Sequence, residues 1–121
     1  MEILGLDHAL LAMPRNGEAA ARAFYGEILG LCEIEKPANL AVRGGVWFAV
    51  GAQQLHLGVE AEFRPARKAH PALLLRDIET LRAKLRAKGF EPREDEPLAG
   101  YQRFHVADPF GNRLEFLEPI A

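Results

Sequence analysis

The stretch His8-Ala9-Leu10-Leu11 returns in the second half of the chain as His70-Pro71-Ala72-Leu73-Leu74. A histidine leading an apolar run, twice in one chain, marks an internal repeat, and the repeat decides the fold. Each copy runs into a helical pattern, Gly17 to Leu29 and then Ile78 to Lys88, and each helix stops at a glycine. Gly30-Leu31 and Gly89-Phe90 both read as a left-handed glycine cap followed by an apolar residue that folds back on the helix. Each half closes on an apolar strand with one polar residue inside it, Leu55-His56-Leu57 and Leu114-Glu115-Phe116.

Strands are expected at Leu6–Met13, Leu31–Glu35, Gly45–Val50 and Gln54–Val59 in the first half. In the second they are expected at Pro71–Leu75, Glu91–Glu94, Gln102–Ala107 and Arg113–Leu117. Asp108-Pro109-Phe110-Gly111-Asn112 reads as the hairpin turn between the last two. Each half is therefore β-α-β-β-β. The chain as a whole is an α+β fold of two βαβββ modules, about 1–60 and about 70–121, with a polar connector of about 61–69, in one domain over 1–121.

Composition narrows the function. The 121 residues carry 15 Lys+Arg against 17 Asp+Glu, a net charge of -2 with no basic block, so the chain lacks the cationic footprint that nucleic-acid backbones require. A single cysteine, Cys32, cannot form an internal disulfide. No apolar run approaches the roughly 18 residues of a membrane span, and the acidic opening Met1 to Asp7 lacks a basic leader region. The expectation is a cytoplasmic protein with no nucleic-acid or membrane partner.

Side chains alternate faces along a strand, so a polar residue between apolar neighbours faces away from the core they build. By that rule His56 and Gly58 oppose Leu55, Leu57 and Val59, and Glu115 opposes Leu114 and Phe116. His105 shares a face with Arg103, opposite Phe104 and Val106. His8 and His70 stand at the entrances of the two first strands. If the sheet curls, the face away from the helices becomes a hollow ringed by His8, His56, His70 and Glu115. Three imidazoles and one carboxylate make a sound donor set for a divalent transition metal. The four positions are equivalent across the repeat, His8 against His70 and His56 against Glu115, which scattered surface histidines have no reason to be.

With these residues in place, the sequence resembles the vicinal oxygen chelate superfamily, which includes glyoxalase I, fosfomycin-resistance enzymes, extradiol dioxygenases, methylmalonyl-CoA epimerase and bleomycin-resistance proteins. The resemblance runs from Gly5-Leu6-Asp7-His8 to Leu114-Glu115-Phe116-Leu117-Glu118. Phe24-Tyr25-Gly26-Glu27-Ile28-Leu29-Gly30-Leu31 and Asp108-Pro109-Phe110-Gly111-Asn112-Arg113-Leu114-Glu115 are its most specific pieces. It implies a glyoxalase-like curled mixed sheet around a metal and ligand cavity. It also implies a homodimer, and Ni, Co, Zn, Mn or Fe held by His8, His56, His70 and Glu115. His8, His70 and Glu115 match the His-His-Glu set of the fosfomycin-resistance enzymes and extradiol dioxygenases, and His56 stands where glyoxalase I often has Glu. No segment resembles the glutathione-binding parts of glyoxalase I.

The chemistry implied is chelation of two adjacent oxygens of a small anionic substrate, in a lyase, isomerase or transferase reaction. Glu115 and His105 are the candidate proton-handling residues. Trp47, opposite Val46, Phe48 and Val50, is a candidate cavity wall, and Arg64, Arg67 and Lys68 before His70 are candidate anion contacts. Two other readings stay open at this point: a metal-free ligand trap resembling the bleomycin-resistance proteins, and an Fe(II) extradiol-type dioxygenase.

Overall fold

In the first repeat, strand β1 (His8–Met13) is followed by helix α1 (Glu18–Ala21), which widens into a π-helical turn over Arg22–Ile28. Strand β2 (Cys32–Ile34), helix α2 (Ala38–Ala41) and strands β3 (Val46–Val50) and β4 (Gln53–Val59) complete it. The second repeat contains β5 (Ala72–Leu74), α3 (Ile78–Ala87), β6 (Tyr101–Ala107) and β7 (Arg113–Pro119). The structure, a computed structural model, describes residues 1–120, so residue 121, the last of the expected second module, lies outside the described residues. The chain divides into two compact units, Met1–Arg64 and one beginning at Pro65, and the break falls inside the connector. The architecture is α+β with two mixed sheets, ordered β1-β4-β3-β2 and β5-β7-β6. Among the described residues no helix is long and apolar enough to cross a membrane.

The register repeats with the sequence. In the first unit β1 pairs parallel with β4 and Leu10 lies opposite His56; in the second, β5 pairs parallel with β7 and Ala72 lies opposite Glu115. Leu10 and Ala72 each stand two residues after a histidine, His8 and His70. The two pairs of polar residues thus occupy the same places on two copies of one strand pair.

Both helices end as their glycines require. Gly30 and Gly89 take φ of 74° and 85°, and Phe90 N–H donates to the Leu85 carbonyl at 2.9 Å while Gly89 N–H donates to Arg86 at 3.0 Å. That double closure satisfies carbonyls the helix end would leave open. In the first unit Leu29 N–H reaches back five residues to the Phe24 carbonyl at 3.0 Å, the bonding of a π turn. The wider turn narrows the angle between successive side chains, so the adjacent rings of Phe24 and Tyr25 both reach the core beside Phe48.

One expected strand is corrected. Glu91–Glu94 contributes only an isolated bridge, Arg93 to His105, so the second sheet has three strands. Pro92 lacks the N–H a ladder needs, and pairing stops beside it. The hairpin turn forms as read: the Asp108 carboxylate accepts from the N–H groups of Phe110 and Asn112, both at 2.9 Å, and Gly111 takes φ of 92°.

The loop into β3 turns on Gly44 and Gly45, with φ of 75° and 88°, which lets Gly45 N–H donate to the Glu18 carboxylate at 2.9 Å. This bond holds the Glu18 carboxyl below its ordinary value of 4.5, with Arg22 and Lys36 adding to the effect and partial burial opposing it. A lowered folded-state pKa contributes stability above the ordinary carboxylate value that is lost as pH falls through the folded value. Glu18→Ala is expected to cost about 1 kcal/mol at neutral pH. Urea unfolding should show the gap between wild type and variant closing as the pH is taken below the carboxylate range. A gap that stays constant across that titration contradicts the assignment.

Candidate functional site

In the first unit the pleat brings three rings together. Trp47 on β3 is the register partner of His56 on β4, and their rings stack at 3.8 Å with parallel planes. His8, at the head of β1, covers the other face of His56 at 4.1 Å and 18°. His56 is buried, Trp47 half-buried and His8 exposed. Asp7 Oδ2 lies 3.0 Å from His8 Nδ1 and, being an acceptor, places the proton there and leaves Nε2 with the lone pair. Gln54 Oε1 lies 2.9 Å from His56 Nε2 and by the same logic leaves the His56 lone pair on Nδ1. Burial first, then the neighbouring His8 ring, pushes the His56 pKa below its ordinary value, so it is neutral at neutral pH, the state a metal ligand requires. Because the two imidazoles lie face to face, their in-plane lone pairs run side by side. Both reach one ion only after a ring turns.

A cavity of about 490 Å³ opens over this stack, within the range of small-molecule sites. Its lining includes His8, Trp47 and His56 together with Lys36 and Arg43, which flank the short helix α2. Sequence reasoning missed both cations. Pro37 ahead of α2 and Gly44-Gly45 after it frame a four-residue helix too short to show periodicity. Arg64, Arg67 and Lys68 are exposed and do not line this cavity.

In the second unit His70 Nδ1 donates to the Lys68 carbonyl at 2.8 Å, which turns Nε2 toward Glu115 Oε1, 2.9 Å away. Anchoring the far ring nitrogen on a backbone carbonyl is how proteins orient metal-ligating histidines. Two lone-pair atoms at that separation need a positive centre between them, either a proton or an ion. Arg103 Nη1 donates to the other carboxylate oxygen, Oε2, at 3.2 Å and is itself tied to the Glu96 carbonyl through Nε at 3.1 Å. Burial pushes the Glu115 pKa up, but the bonds from His70 and Arg103 outweigh it and the net shift is downward. The carboxylate is ionised at neutral pH.

Ligand-type atoms of His70, His105 and Glu115 lie within 4.8 Å of one another. This donor set, two imidazole nitrogens and one carboxylate oxygen, suits a divalent transition ion. His105 is nevertheless committed elsewhere: its Nδ1 accepts from Arg113 Nε at 3.0 Å and its Nε2 faces Asp95 Oδ2 at 3.0 Å, against 4.0 Å to Glu115 Oε1. Burial, followed by Arg113, lowers its pKa and keeps it neutral. The proton-transfer role read from sequence would require Arg113 to release Nδ1.

The family model described as the Glyoxalase/Bleomycin resistance protein/Dioxygenase superfamily matches residues 5–116, and the chain belongs to that superfamily. A glyoxalase family protein from Bacillus anthracis shares 46% identity over 99% of this chain and 98% of its own, with a TM-score of 0.94. A lactoylglutathione lyase from Agrobacterium tumefaciens (19% identity, 94% and 92% coverage, TM-score 0.72) has the same fold. So does the fosfomycin resistance protein FosX from Listeria monocytogenes (15% identity, 98% and 96% coverage, TM-score 0.76). Among curated proteins there is no match.

Proposed function

We propose that this chain is a metal-dependent enzyme that binds a small anionic substrate through two adjacent oxygens. The observation that carries this reading is the His70–Glu115 pair, aimed by the Lys68 carbonyl on one side and Arg103 on the other. In the first unit His8 and His56 hold the same register, and metal ligation is proposed for them there once one ring turns out of the stack. When bound, the ion supplies Lewis acidity toward the oxyanion that develops on the substrate, which contributes several kcal/mol in a shaped site.

The chain's own residues do the rest. Glu115 is ionised, and with Oε1 released from the ion it could accept a substrate proton there while Arg103 holds Oε2. His105 holds the surrounding charges, Asp95 and Arg113, in register. Trp47 excludes water from one side of the His56 ring. The dimer and the cytoplasmic setting belong to the same reading: the apolar side chains of Leu6 ahead of β1 and of Leu74 on β5 are exposed, which a second copy would cover, and Cys32 is a free thiol.

The three-ring stack and the cavity above it also suit a ligand trap that needs no ion, so the test must separate the two. Acetohydroxamate offers two adjacent oxygens and acetamide only one. Calorimetry on protein loaded in turn with Ni, Co, Zn, Mn and Fe(II) should find acetohydroxamate binding that depends on the ion, with acetamide unaffected by it. Equal acetohydroxamate affinity with and without every ion contradicts the enzyme reading.

A further inference from the structure

The cavity of the first unit has a charge imbalance that the metal-site reading does not use. Lys36 and Arg43 line it with a single acid, Glu60. The Glu60 carboxylate already accepts from the Arg64 N–H at 3.4 Å. Lys36 is partly buried, donates from Nζ to the Gly44 carbonyl and stands 6.0 Å from the Trp47 ring centroid. Glu18, whose carboxyl Lys36 helps to hold below its ordinary value, is occupied by Gly45 N–H. Among the described residues the Arg43 side chain has neither an ion pair nor a hydrogen bond. Two cations therefore line the cavity against one carboxylate, and a partly desolvated cation is stabilised by an anion that enters.

The remaining wall is apolar. Leu10 and Leu40 line it with Trp47, and Leu10 is 59% exposed despite its size. Gly58, on the His56 face of β4, has no side chain to fill the floor, and a Cβ there would press on Leu10 at 3.2 Å. The space is left for an apolar body that covers Leu10.

We infer that the cavity selects an amphiphilic organic anion, an aryl or alkyl group carrying one carboxylate or phosphonate, with Arg43 and Lys36 binding the anionic head and Leu10, Leu40 and Trp47 the apolar body. This names the substrate class of the site proposed above and rests on that reading. Arg43 is the specificity-determining residue, because its guanidinium is uncommitted and can make a two-point contact with either head group. Lys36, tied to Gly44, contributes charge from a fixed position.

Trp47 is the chain's single tryptophan, so its emission reports occupation of this cavity directly. Phenylacetate, phenylphosphonate and the neutral phenylacetamide would be titrated against the protein as purified, with metal content measured on the same sample, and again after chelator treatment. Phenylacetate or phenylphosphonate is expected to quench saturably in both samples, and phenylacetamide about fivefold more weakly, as one charge contact in a partly exposed site warrants. Arg43→Gln, an exposed substitution with no effect expected on the fold, should remove most of that preference and leave phenylacetamide unchanged. Phenylacetate binding better than phenylphosphonate identifies a carboxylate head, and the reverse order a phosphonate. Equal binding of the anions and the amide, or an anion preference that survives Arg43→Gln, overturns the inference whatever the metal content. Anion-selective binding in protein that holds no ion under any loading leaves the inference standing while the metal-dependent reading fails.

Discussion

Glu115→Gln is expected to weaken divalent-metal binding by at least about 100-fold, because losses of 10- to 100-fold already follow when a partner that only orients a ligand is removed. The amide keeps the shape of the carboxylate and its contact with His70, so the variant separates ligation from folding better than alanine. Alanine would leave Arg103 facing an uncompensated space beside β7, and losing one partner of a buried ion pair destabilises by itself. Arg103→Met, which keeps the carboxylate but removes its clamp, should lose less, about tenfold. Calorimetric titration of chelator-treated protein with Ni or Co measures both, with thermal unfolding confirming that each variant is folded. Affinities of the Glu115 variant within a factor of about two of wild type would remove Glu115 from the ligand set. The contrast between the two variants is informative because the structure gives the two oxygens different work: Oε1 faces His70 at 2.9 Å and Oε2 is held by Arg103 at 3.2 Å.

Gly45→Ala is expected to cost the most stability of any single methyl addition considered. The position has φ of 88°, where a side chain is strained by roughly 1–3 kcal/mol, and an added Cβ would overlap the Leu57 carbonyl oxygen on the neighbouring strand. That oxygen belongs to the β3–β4 pairing, in which Val46 lies opposite Leu57, so relieving the overlap means opening the ladder that carries both Trp47 and His56. The combined cost is expected to exceed about 2 kcal/mol. Gly51→Ala is the control, since φ there is 56° and nothing lies within 4 Å of the added carbon. Only the conformational part should be lost there, about 1 kcal/mol. Urea unfolding of the two variants measures the difference, and equal losses at the two sites would show that the contact with Leu57 relaxes without cost. Loss of Trp47 fluorescence change on ligand addition should accompany Gly45→Ala and not Gly51→Ala.

The repeat, the two glycine helix stops and the strand faces were legible because each depends on a short local pattern. His56 and Glu115 stand out as polar residues in apolar strands, and the equal register of His8 with His56 and His70 with Glu115 follows from the same duplication. What escaped reading depends on backbone detail or on side-chain direction. Glu91–Glu94 has the length of a strand, but Pro92 denies it the pairing. The π turn between Arg22 and Ile28 differs from an α-helix by one residue per bond and leaves the same spacing of apolar residues. Lys36 and Arg43 reach the cavity through a helix of one turn set between a proline and two glycines, where no periodicity can appear. The partners of His105 come from Asp95 in an irregular segment and Arg113 at the start of β7, so its commitment to them was invisible in the strand pattern that singled it out. Likewise the stacking of His8 on His56 is a matter of rotamers, on which alternation is silent.

The most direct test of the central claim is the metal content of the protein purified without chelator or affinity tag, measured beside His70→Ala and Glu115→Gln prepared in the same way. The account predicts close to one divalent transition ion per chain in the native protein and a marked loss in both variants. Native protein that carries no ion, and takes up none from Ni, Co, Zn, Mn or Fe(II), would contradict it.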